Sequence, residues 1–452
     1  MHDFEMVNTI AKEVDNAGGQ VYLVGGCVRD ELLGIDNKDI DIEVFGLSER
    51  SLIGILSKLG ELQEVGRSFG VFRLKGHNID IALPRREKKS TSNSSSSSSH
   101  RDFEVRTDPF ISISDAVKRR DITINGIMKN ALTKEIVDNC GGVKDLESRK
   151  IRHIDSNTFV EDPLRVFRVA QFAARLNFDI DSETLELCKS IDTSTLSKER
   201  VFDETAKALL KSNKPSIYFE SLREMNQLDT WFSKLHELIG IKQNQLYHKE
   251  DVWTHTMLVL DEAAKVRELA ENKLGFMMSA LCHDLGKIVS TYIDDRGNYH
   301  SYGHEEKGVA LASELLAGLT NNKQLTRYVL NMVKNHMKPN IKANNKSRLK
   351  STNKMFYESI CPNDLVLLSK CDELGRIPSI LSGNFEWLLF RLDDYNKIME
   401  KPYVKGKDLV DAGIKPGAKF KELLEFATKL RLAGIDKDLA LRQVLALERK
   451  MK

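Results

Sequence analysis

Nowhere in the sequence do apolar residues run for the roughly 20 positions a membrane-crossing helix needs, so no membrane partner is expected. The opening Met1-His2-Asp3-Phe4-Glu5 has no basic stretch followed by an apolar one, so a secretory leader is not expected and the cytoplasm is the expected compartment. Cysteine is scarce and scattered. Cys27, Cys140, Cys188, Cys282, Cys361 and Cys371 form no Cys-x-x-Cys pair, which argues against a disulfide framework or zinc knuckle and reads as buried thiols in a reducing compartment. Internal repeats of fixed period are also missing. No charge of one sign dominates: 68 basic and 66 acidic residues leave a net +2. That average excludes little, because a nucleic-acid binder needs a local basic patch rather than a basic mean. From Lys401 onward 13 Lys or Arg stand against 7 Asp or Glu, a distribution that suits a phosphate backbone or an ordinary solvated helix face.

What is present is enough apolar mass for several cores. At 452 residues and 41% hydrophobic the chain predicts two to four domains. Val21–Val24, Asp39–Val44, Phe69–Leu74 and Ile79–Leu83 read as short strands, so the N-terminal part is expected to be α/β. From about Asp155 the pattern turns helical and stays so almost to the end. The run Ser90–Ser99, between Arg85-Arg86-Glu87-Lys88-Lys89 and His100-Arg101, cannot bury apolar surface and predicts a mobile loop, either a tolerated insertion or a working part of the site.

Asp39 and Asp41 stand at i and i+2, so on a strand both carboxylates would share one face while Ile40 and Ile42 pack on the other. Oxygen ligands at that separation suit Mg²⁺, and in-line transfer of a nucleotidyl group calls for two such ions. Asp80, flanked by Ile79 and Ile81, is the candidate third carboxylate. A half-exposed structural strand would show the same alternation. The preceding Val24-Gly25-Gly26-Cys27-Val28-Arg29-Asp30 reads as a strand entering a glycine turn and then a helix, where backbone N–H groups and Arg29 could meet phosphates.

The glycine turn followed by Lys38-Asp39-Ile40-Asp41 resembles the signature of the class II tRNA nucleotidyltransferase and bacterial poly(A) polymerase family, a polymerase-beta-like branch. Arg119-Arg120-Asp121-Ile122-Thr123-Ile124-Asn125-Gly126 is similar to the family's R-R-D-x-T-x-N-A element, with Gly126 where alanine is usual. Glu161-Asp162-Pro163-Leu164-Arg165 is similar to its E-D-x-x-R element, and Ser197-Lys198-Glu199-Arg200 with Glu204 to its supporting helix. The resemblance implies catalytic Asp39, Asp41 and Asp80 with Mg²⁺ on Asp39 and Asp41. It implies nucleotide contacts from Gly25, Gly26, Arg29, Arg119, Arg120, Asp121, Asn125, Asp162, Arg165 and Arg168, with Asp121 and Asn125 at the ribose and the Arg119-Arg120 pair at the triphosphate.

Base choice also follows from chemistry. Cytosine and adenine both present an exocyclic amine beside a ring-nitrogen acceptor, and uracil and guanine the reverse. An acid and an arginine at i and i+3 of one helix face, Asp162 and Arg165, would admit CTP and ATP and reject the other two. Asp162 before Pro163 is equally the pattern of an N-cap with proline at the first helical position.

Six of the 11 histidines lie between 248 and 336, which suggests a metal centre. His255, the pair His283-Asp284, His304, His336 and Asp372 are ligand types that can hold one or two divalent ions with positions left for water. Their order resembles the HD phosphohydrolase superfamily, and an HD domain behind such a head resembles the bacterial CCA-adding enzymes. The implied ion is Mg²⁺, Mn²⁺, Ni²⁺ or Co²⁺, with Lys287 at substrate phosphate. His248 and His300 read as structural or supporting residues.

The resulting expectation is an α/β polymerase-beta-like head over 1–150, a helical neck with the base-selection motif over 151–215, a helical body with the HD domain over 216–395 and a basic helical tail over 396–452. The expected function is CCA addition to tRNA from CTP and ATP, together with an HD phosphatase or 2′,3′-cyclic phosphodiesterase. The alternatives are an A-adding enzyme or poly(A) polymerase, and an HD hydrolase whose head only binds RNA. Intact Asp39, Asp41, Arg120, Asp162 and Arg165 disfavour the last. Monomer and homodimer both remain open.

Overall fold

The fold is that of a computed structural model, which describes residues 2–37, 39–64, 71–89, 103–244, 249–378 and 382–451. The chain divides into two compact units, Met1–Glu204 with Ile217–Gln227, and Thr205–Ser216 with Leu228–Lys452.

In the first unit, strands β1 (Gln20–Val24), β2 (Ile40–Phe45), β3 (Leu62–Glu64), β4 (Val71–Leu74), β5 (Ile79–Ala82), β8 (Met128–Asn130) and β9 (Ile136–Val137) form a sheet in the order β3-β4-β5-β2-β1-β8-β9. Only β2 and β5 run parallel, with Asp41 opposite Asp80; the other pairs are antiparallel. The alternation in β2 is the reason for its place at the centre. Ile40, Ile42 and Val44 point one way and are buried, as are Ile79 and Ile81 of β5. The helices His2–Asn16 and Glu49–Leu59 pack on each other, the first also on β1, and bury Val7, Ile10, Val14, Leu52 and Leu56. A second small core gathers Tyr22, Val24, Phe45 and Met128 with Ile111, Ala116 and Val117.

Asp39 is a correction to the expected strand: it precedes β2 rather than belonging to it, and its Oδ1 accepts from Asn78 Nδ2 at 2.9 Å. Of the two basic flanks, Arg85–Lys89 forms β6, which pairs antiparallel with β7 (Phe103–Thr107), and His100-Arg101 lies outside the described residues. The serine run Ser90–Ser99 itself, Lys38, Phe69 and His248 lie outside the described residues.

The second unit is helical, as expected, except for a short hairpin of Tyr292–Ile293 with Tyr299–His300. Helices Val252–Val266, Lys273–Cys282, His304–Leu319, Lys323–Asn335 and Pro362–Leu374 pack on one another around Trp253, Phe276, Met277 and Leu281. Gly406–Asp411, Ala418–Leu432 and Lys437–Met451 make a core of their own from Leu409, Leu423, Ala427, Ala440 and Val444. All six cysteines are free, five of them buried and Cys140 half-buried. No helix among the described residues is long and apolar enough to cross a membrane.

One glycine fixes the packing beneath the R-R-D element. A Cβ at Gly142 would stand 2.2 Å from the backbone oxygen of Thr123 and 2.7 Å from Ile127, and backbone cannot move aside as a side-chain tip can. Gly142→Ala is therefore expected to lower the thermal midpoint of the head by several degrees, the effect of about 2 kcal/mol or more of overpacking. An unchanged midpoint would show that the contact is relaxed at no cost.

Candidate nucleotidyl-transfer and metal sites

In the head, the parallel register of β2 and β5 sets Asp41 beside Asp80 on one face. Burial raises the pKa of Asp41, and the neighbouring carboxylates of Asp80 and then Asp39 raise it further. The two neighbouring acids thus disfavour the charge on Asp41, and a divalent cation bound to its oxygens would relieve it. Asp80 is partly neutralised already, because Arg73 on β4 meets its Oδ1 at 2.7 Å through Nε and at 2.5 Å through Nη2. Gly25 turns the chain at φ +69°, and a Cβ there would lie 4.0 Å from both Asp41 Oδ2 and Arg120 Nη1. The glycine turn, an acid and an arginine of three separate motifs thus meet at one place.

The arginine pair is held by a residue that the motifs did not single out. Glu43 Oε1 accepts from Arg119 Nη2 at 2.6 Å, and its Oε2 accepts from Arg120 Nη2 at 2.9 Å. Glu43 is buried on the same side of β2 as Asp41. Its signal was the continued alternation Asp39, Asp41, Glu43. The Nε atoms of Arg119 and Arg120 are buried without a hydrogen-bond partner.

Arg29 departs from the expected open phosphate cation. It is 1% exposed, bonded through Nε and Nη2 to Asp30 Oδ1 at 2.8 and 2.6 Å and through Nη1 to Asn125 Oδ1 at 2.6 Å. Burial lowers its pKa against the pull of Asp30. Asn125 Nδ2 donates to Asp121 Oδ1 at 3.1 Å, and Arg168 takes Asp121 Oδ2 at 2.6 Å through Nη2. Burial pushes the Asp121 carboxyl up, but Arg168, Asn125 and the Ile122 N–H together hold it below its usual value. Phe172 packs beneath both Arg29 and Arg168, at 5.0 and 5.4 Å. Gly126 is explained by Cys140: a Cβ there would lie 2.6 Å from its Sγ.

Asp162 lies just before the helix that carries Arg165. The helix begins at Leu164 with Pro163 at its cap position, and Asp162 Oδ1 accepts from the Leu164 N–H at 3.1 Å. The partner of Asp162 is Arg200, whose Nη2 lies 2.8 and 3.0 Å from its two oxygens. Arg165 donates to the carbonyls of Thr158 and Arg119 at 2.7 and 2.5 Å.

In the body, His255, His283 and Asp372 bring three ligand atoms within 4.8 Å of one another, and Asp284, His304 and His336 do the same. Each imidazole is anchored in one way. Nδ1 faces a backbone carbonyl: Gly375 for His255 at 3.0 Å, Ala280 for His283 at 2.8 Å, Ser301 for His304 at 2.9 Å and Val333 for His336 at 2.6 Å. Carbonyls only accept, so every Nδ1 carries the hydrogen and every neutral Nε2 keeps a lone pair. Yet His255 and His283 turn these Nε2 atoms to within 3.4 Å of each other, and His304 and His336 to within 3.1 Å. Facing lone pairs repel unless a proton or a metal cation lies between them; against its burial, Asp284 raises the pKa of His283, and a donor set of this kind also fits a divalent metal.

Two carboxylates complete the set. Asp284 Oδ1 is 3.2 Å from His304 Nε2, and its Oδ2 is 3.2 Å from His283 Nε2 and 2.6 Å from Lys287 Nζ. Asp372 Oδ1 lies 3.1 Å from His255 Nε2 while Oδ2 meets Arg376 at 3.2 Å. Burial opposes the charge on both acids, but Lys287 and His283 at Asp284, and Arg376 and His255 at Asp372, hold both well below the usual carboxylate range. Burial, then His304 and His283, push His336 down to about 3, so this ring stays neutral. Lys287, expected at substrate phosphate, also donates to Gln243 Oε1 at 2.6 Å. Arg376 and Gln243 were not anticipated. His300 is in neither ligand group; it bonds Asp294 instead.

Fold and donors together define a polymerase-beta-like nucleotidyltransferase head joined to an HD-type metal domain. The family models agree: a poly(A) polymerase head domain matches residues 21–152, a probable RNA- and SrmB-binding site of polymerase A matches 177–239, and an HD domain matches 252–377. The multifunctional CCA protein of Actinobacillus pleuropneumoniae serotype 5b is 40% identical over 304 residues, 66% of this chain and 70% of that protein. That of Haemophilus influenzae (strain PittGG) is 41% identical over 300 residues, 64% and 68% of the two chains. The chain belongs to the family of multifunctional CCA proteins. Its fold is similar to the Bacillus stearothermophilus CCA-adding enzyme in complex with CTP (TM-score 0.68, 18% identity, 100% and 99% of the chains covered). It is likewise similar to the Thermotoga maritima CCA-adding enzyme complexed with tRNA (TM-score 0.62, 20% identity, 98% and 94% covered).

Glu43 generates a prediction of its own. Glu43→Gln leaves one arginine facing an amide N–H₂ rather than an oxygen, so the pair splays. The KM for both nucleoside triphosphates is expected to rise about tenfold, the cost of one charge-assisted contact, with a smaller change in kcat. Steady-state kinetics check it, and equal KM values in mutant and wild type would remove Glu43 from the site.

Proposed function

We propose that the head adds CCA to the 3′ end of tRNA from CTP and ATP, and that the body is a phosphatase or 2′,3′-cyclic phosphodiesterase. The observation that carries the first is the meeting of Asp41, Asp80, the Gly25 turn and the Glu43-held arginines at one place. Family membership and the tRNA and CTP carried by the structural neighbours support it. We read 1–150 as the head, 151–215 as the neck, 216–395 as the body and 396–452 as the tail.

Asp39 and Asp41 would hold Mg²⁺, with Asp80 as the third acid, and the six donors His255, His283, Asp284, His304, His336 and Asp372 would hold Mg²⁺, Mn²⁺, Ni²⁺ or Co²⁺. Bound metal supplies polarisation of phosphate oxygens and an activated hydroxyl or water. Arg119 and Arg120 orient the triphosphate, both held in position by Glu43. Asp121 and Asn125 address the ribose, kept in place by Arg168 and Arg29. Asp162 receives the exocyclic amine of the base while Arg200 steadies it, and Arg165 donates to the ring nitrogen. Each Arg165 Nη gives a carbonyl only one of its two hydrogens. Lys287 stands beside the body's ligands, ready for a phosphate oxygen.

The test is a tRNA transcript lacking its 3′ end, incubated with CTP, ATP or both. Two C additions with CTP alone and a terminal A only when both are present are expected. A addition restricted to transcripts already ending in CC would identify an A-adding enzyme instead. Asp41→Ala and Asp39→Ala should each lower incorporation by about 100-fold or more with the fold intact, because each removes a metal ligand without opening a core cavity. Near-normal incorporation in both would overturn the assignment.

The two activities should also separate. His283→Ala with Asp284→Ala is expected to abolish metal-dependent phosphoester hydrolysis and metal binding in the body, while CTP and ATP incorporation persists. The ligand sets belong to different units, and the two donor groups of the body draw on no residue of the head. Loss of nucleotide addition in a folded double mutant would contradict this division.

A further inference from the structure

The body carries an exposed aromatic group that nothing above uses. In the hairpin of Tyr292–Ile293 with Tyr299–His300, Tyr292 lies opposite His300. The His300 ring stacks on Tyr302 with centroids 5.2 Å and planes 19° apart, and Tyr292 completes the group 5.6 Å from His300 and 6.4 Å from Tyr302. Large rings in such contact are usually covered, yet Tyr302 is 71% exposed and Tyr292 50%. They are held in place all the same. His300 Nε2 meets Asp294 Oδ2 at 2.8 Å, and Asp294 Oδ1 accepts from the backbone N–H groups of Arg296 and Asn298.

The rings are also fastened to the ligand cluster. Nδ1 of His304 donates to the carbonyl of Ser301, the residue between His300 and Tyr302. Thr291, next to Tyr292, shares a hydrogen bond with Ser301 Oγ at 2.9 Å and donates to the Lys287 carbonyl at 2.7 Å. Tyr302 is two residues from a candidate metal ligand, within about 7 Å along the chain.

We propose that Tyr302, His300 and Tyr292 form a stacking platform for the base of a nucleotide whose phosphate is cleaved at the body's metal ligands. The proposal rests on the phosphohydrolase reading of the body and adds to it the side chains that hold the base of a nucleoside phosphate, either free or at the end of an RNA. Aromatic faces held rigid and left open beside a phosphate-cleaving centre offer what a nucleobase needs, and stacking accepts all four bases because each has a π face. With a 2′,3′-cyclic ester, water adds to phosphorus, one ribose P–O bond breaks, and the ribose oxygen takes the proton. Because the head is expected to reject guanine, a guanosine substrate reports on the body alone.

The experiment uses the full chain with Ni²⁺ and three substrates: guanosine 2′,3′-cyclic phosphate, an RNA oligonucleotide ending in that group, and ribose 2,3-cyclic phosphate without a base. Tyr302→Ala is expected to raise the KM for the guanosine substrate about tenfold, the effect of losing one stacking face, and to erase its advantage over the base-free ester. Tyr302→Trp should restore it. A larger loss on the oligonucleotide would mark an RNA end as the source of the base, and an equal loss a free nucleotide. Binding of guanosine 3′-monophosphate by calorimetry gives a readout that needs no turnover, and about tenfold weaker binding in Tyr302→Ala is expected. Should the wild type hydrolyse nothing yet bind guanosine 3′-monophosphate through Tyr302, the phosphohydrolase reading falls and the platform stands. Equal KM and equal affinity in Tyr302→Ala and wild type would overturn the platform.

Discussion

A charged or polar side chain taken out of water must find a partner within the fold, and this requirement organises both sites. Arg29 is the clearest case. Fully buried, it binds Asp30 behind it and Asn125 in front, and Asn125 passes the link to Asp121 and Arg168. Arg175 and Asn37 close the other end on Asp30 Oδ2. The chain ties the glycine-turn helix, the R-R-D element and the helix Leu164–Leu176 into one hydrogen-bonded unit. A network of this kind is rigid only when every member is satisfied, which makes the residues farthest from any ligand as necessary as those nearest to it.

The body meets the same requirement differently. Each imidazole spends Nδ1 on a backbone carbonyl, and three of the four bonds are local, to the carbonyl three residues back. His283 and His336 follow the ends of helices Lys273–Cys282 and Lys323–Asn335, where carbonyls lack helical partners. The helix end thus fixes the ring's tautomer and aims Nε2 inward. Gly286 matters for a related reason: a Cβ there would come within 2.7 Å of Gly308 N and closer still to the His304 carbonyl oxygen. The His-Asp-Leu-Gly turn can therefore lie flat against the start of the next ligand helix.

Much of this was legible in the sequence, for identifiable reasons. Period-two alternation placed β2 and β5, and the clustering of histidines in a helical stretch located the body's donors. What the sequence did not reveal were partners distant along the chain. Glu43 looked like one more acid on an alternating strand, and only the approach of Arg119 and Arg120, more than 70 residues later, gives it a function. Arg29 looked like a cation beside a phosphate turn, because burial is a property of the assembled unit and not of the motif. Asp162 was legible both as a cap and as a base contact; in the structure it accepts from the Leu164 N–H and pairs with Arg200 rather than with Arg165. The hairpin at Tyr292 and Tyr299 was hidden because two-residue strands carry no periodicity.

The two donor sets also differ in how their charge is balanced, and this bears on which ions suit them. In the head, Asp41 is raised by burial and by its acidic neighbours, and only part of the negative charge is cancelled, by Arg73 at Asp80. Such a site gains most from a hard cation that accepts oxygen and keeps its own waters. In the body, Lys287 and Arg376 each sit on one carboxylate, and the remaining donors are imidazoles. The negative charge there is largely offset, and nitrogen lone pairs make up most of the donor set, a donor type that suits transition ions. The same chain therefore presents one set of donors made of charged oxygens and another made mostly of ring nitrogens, each within its own unit.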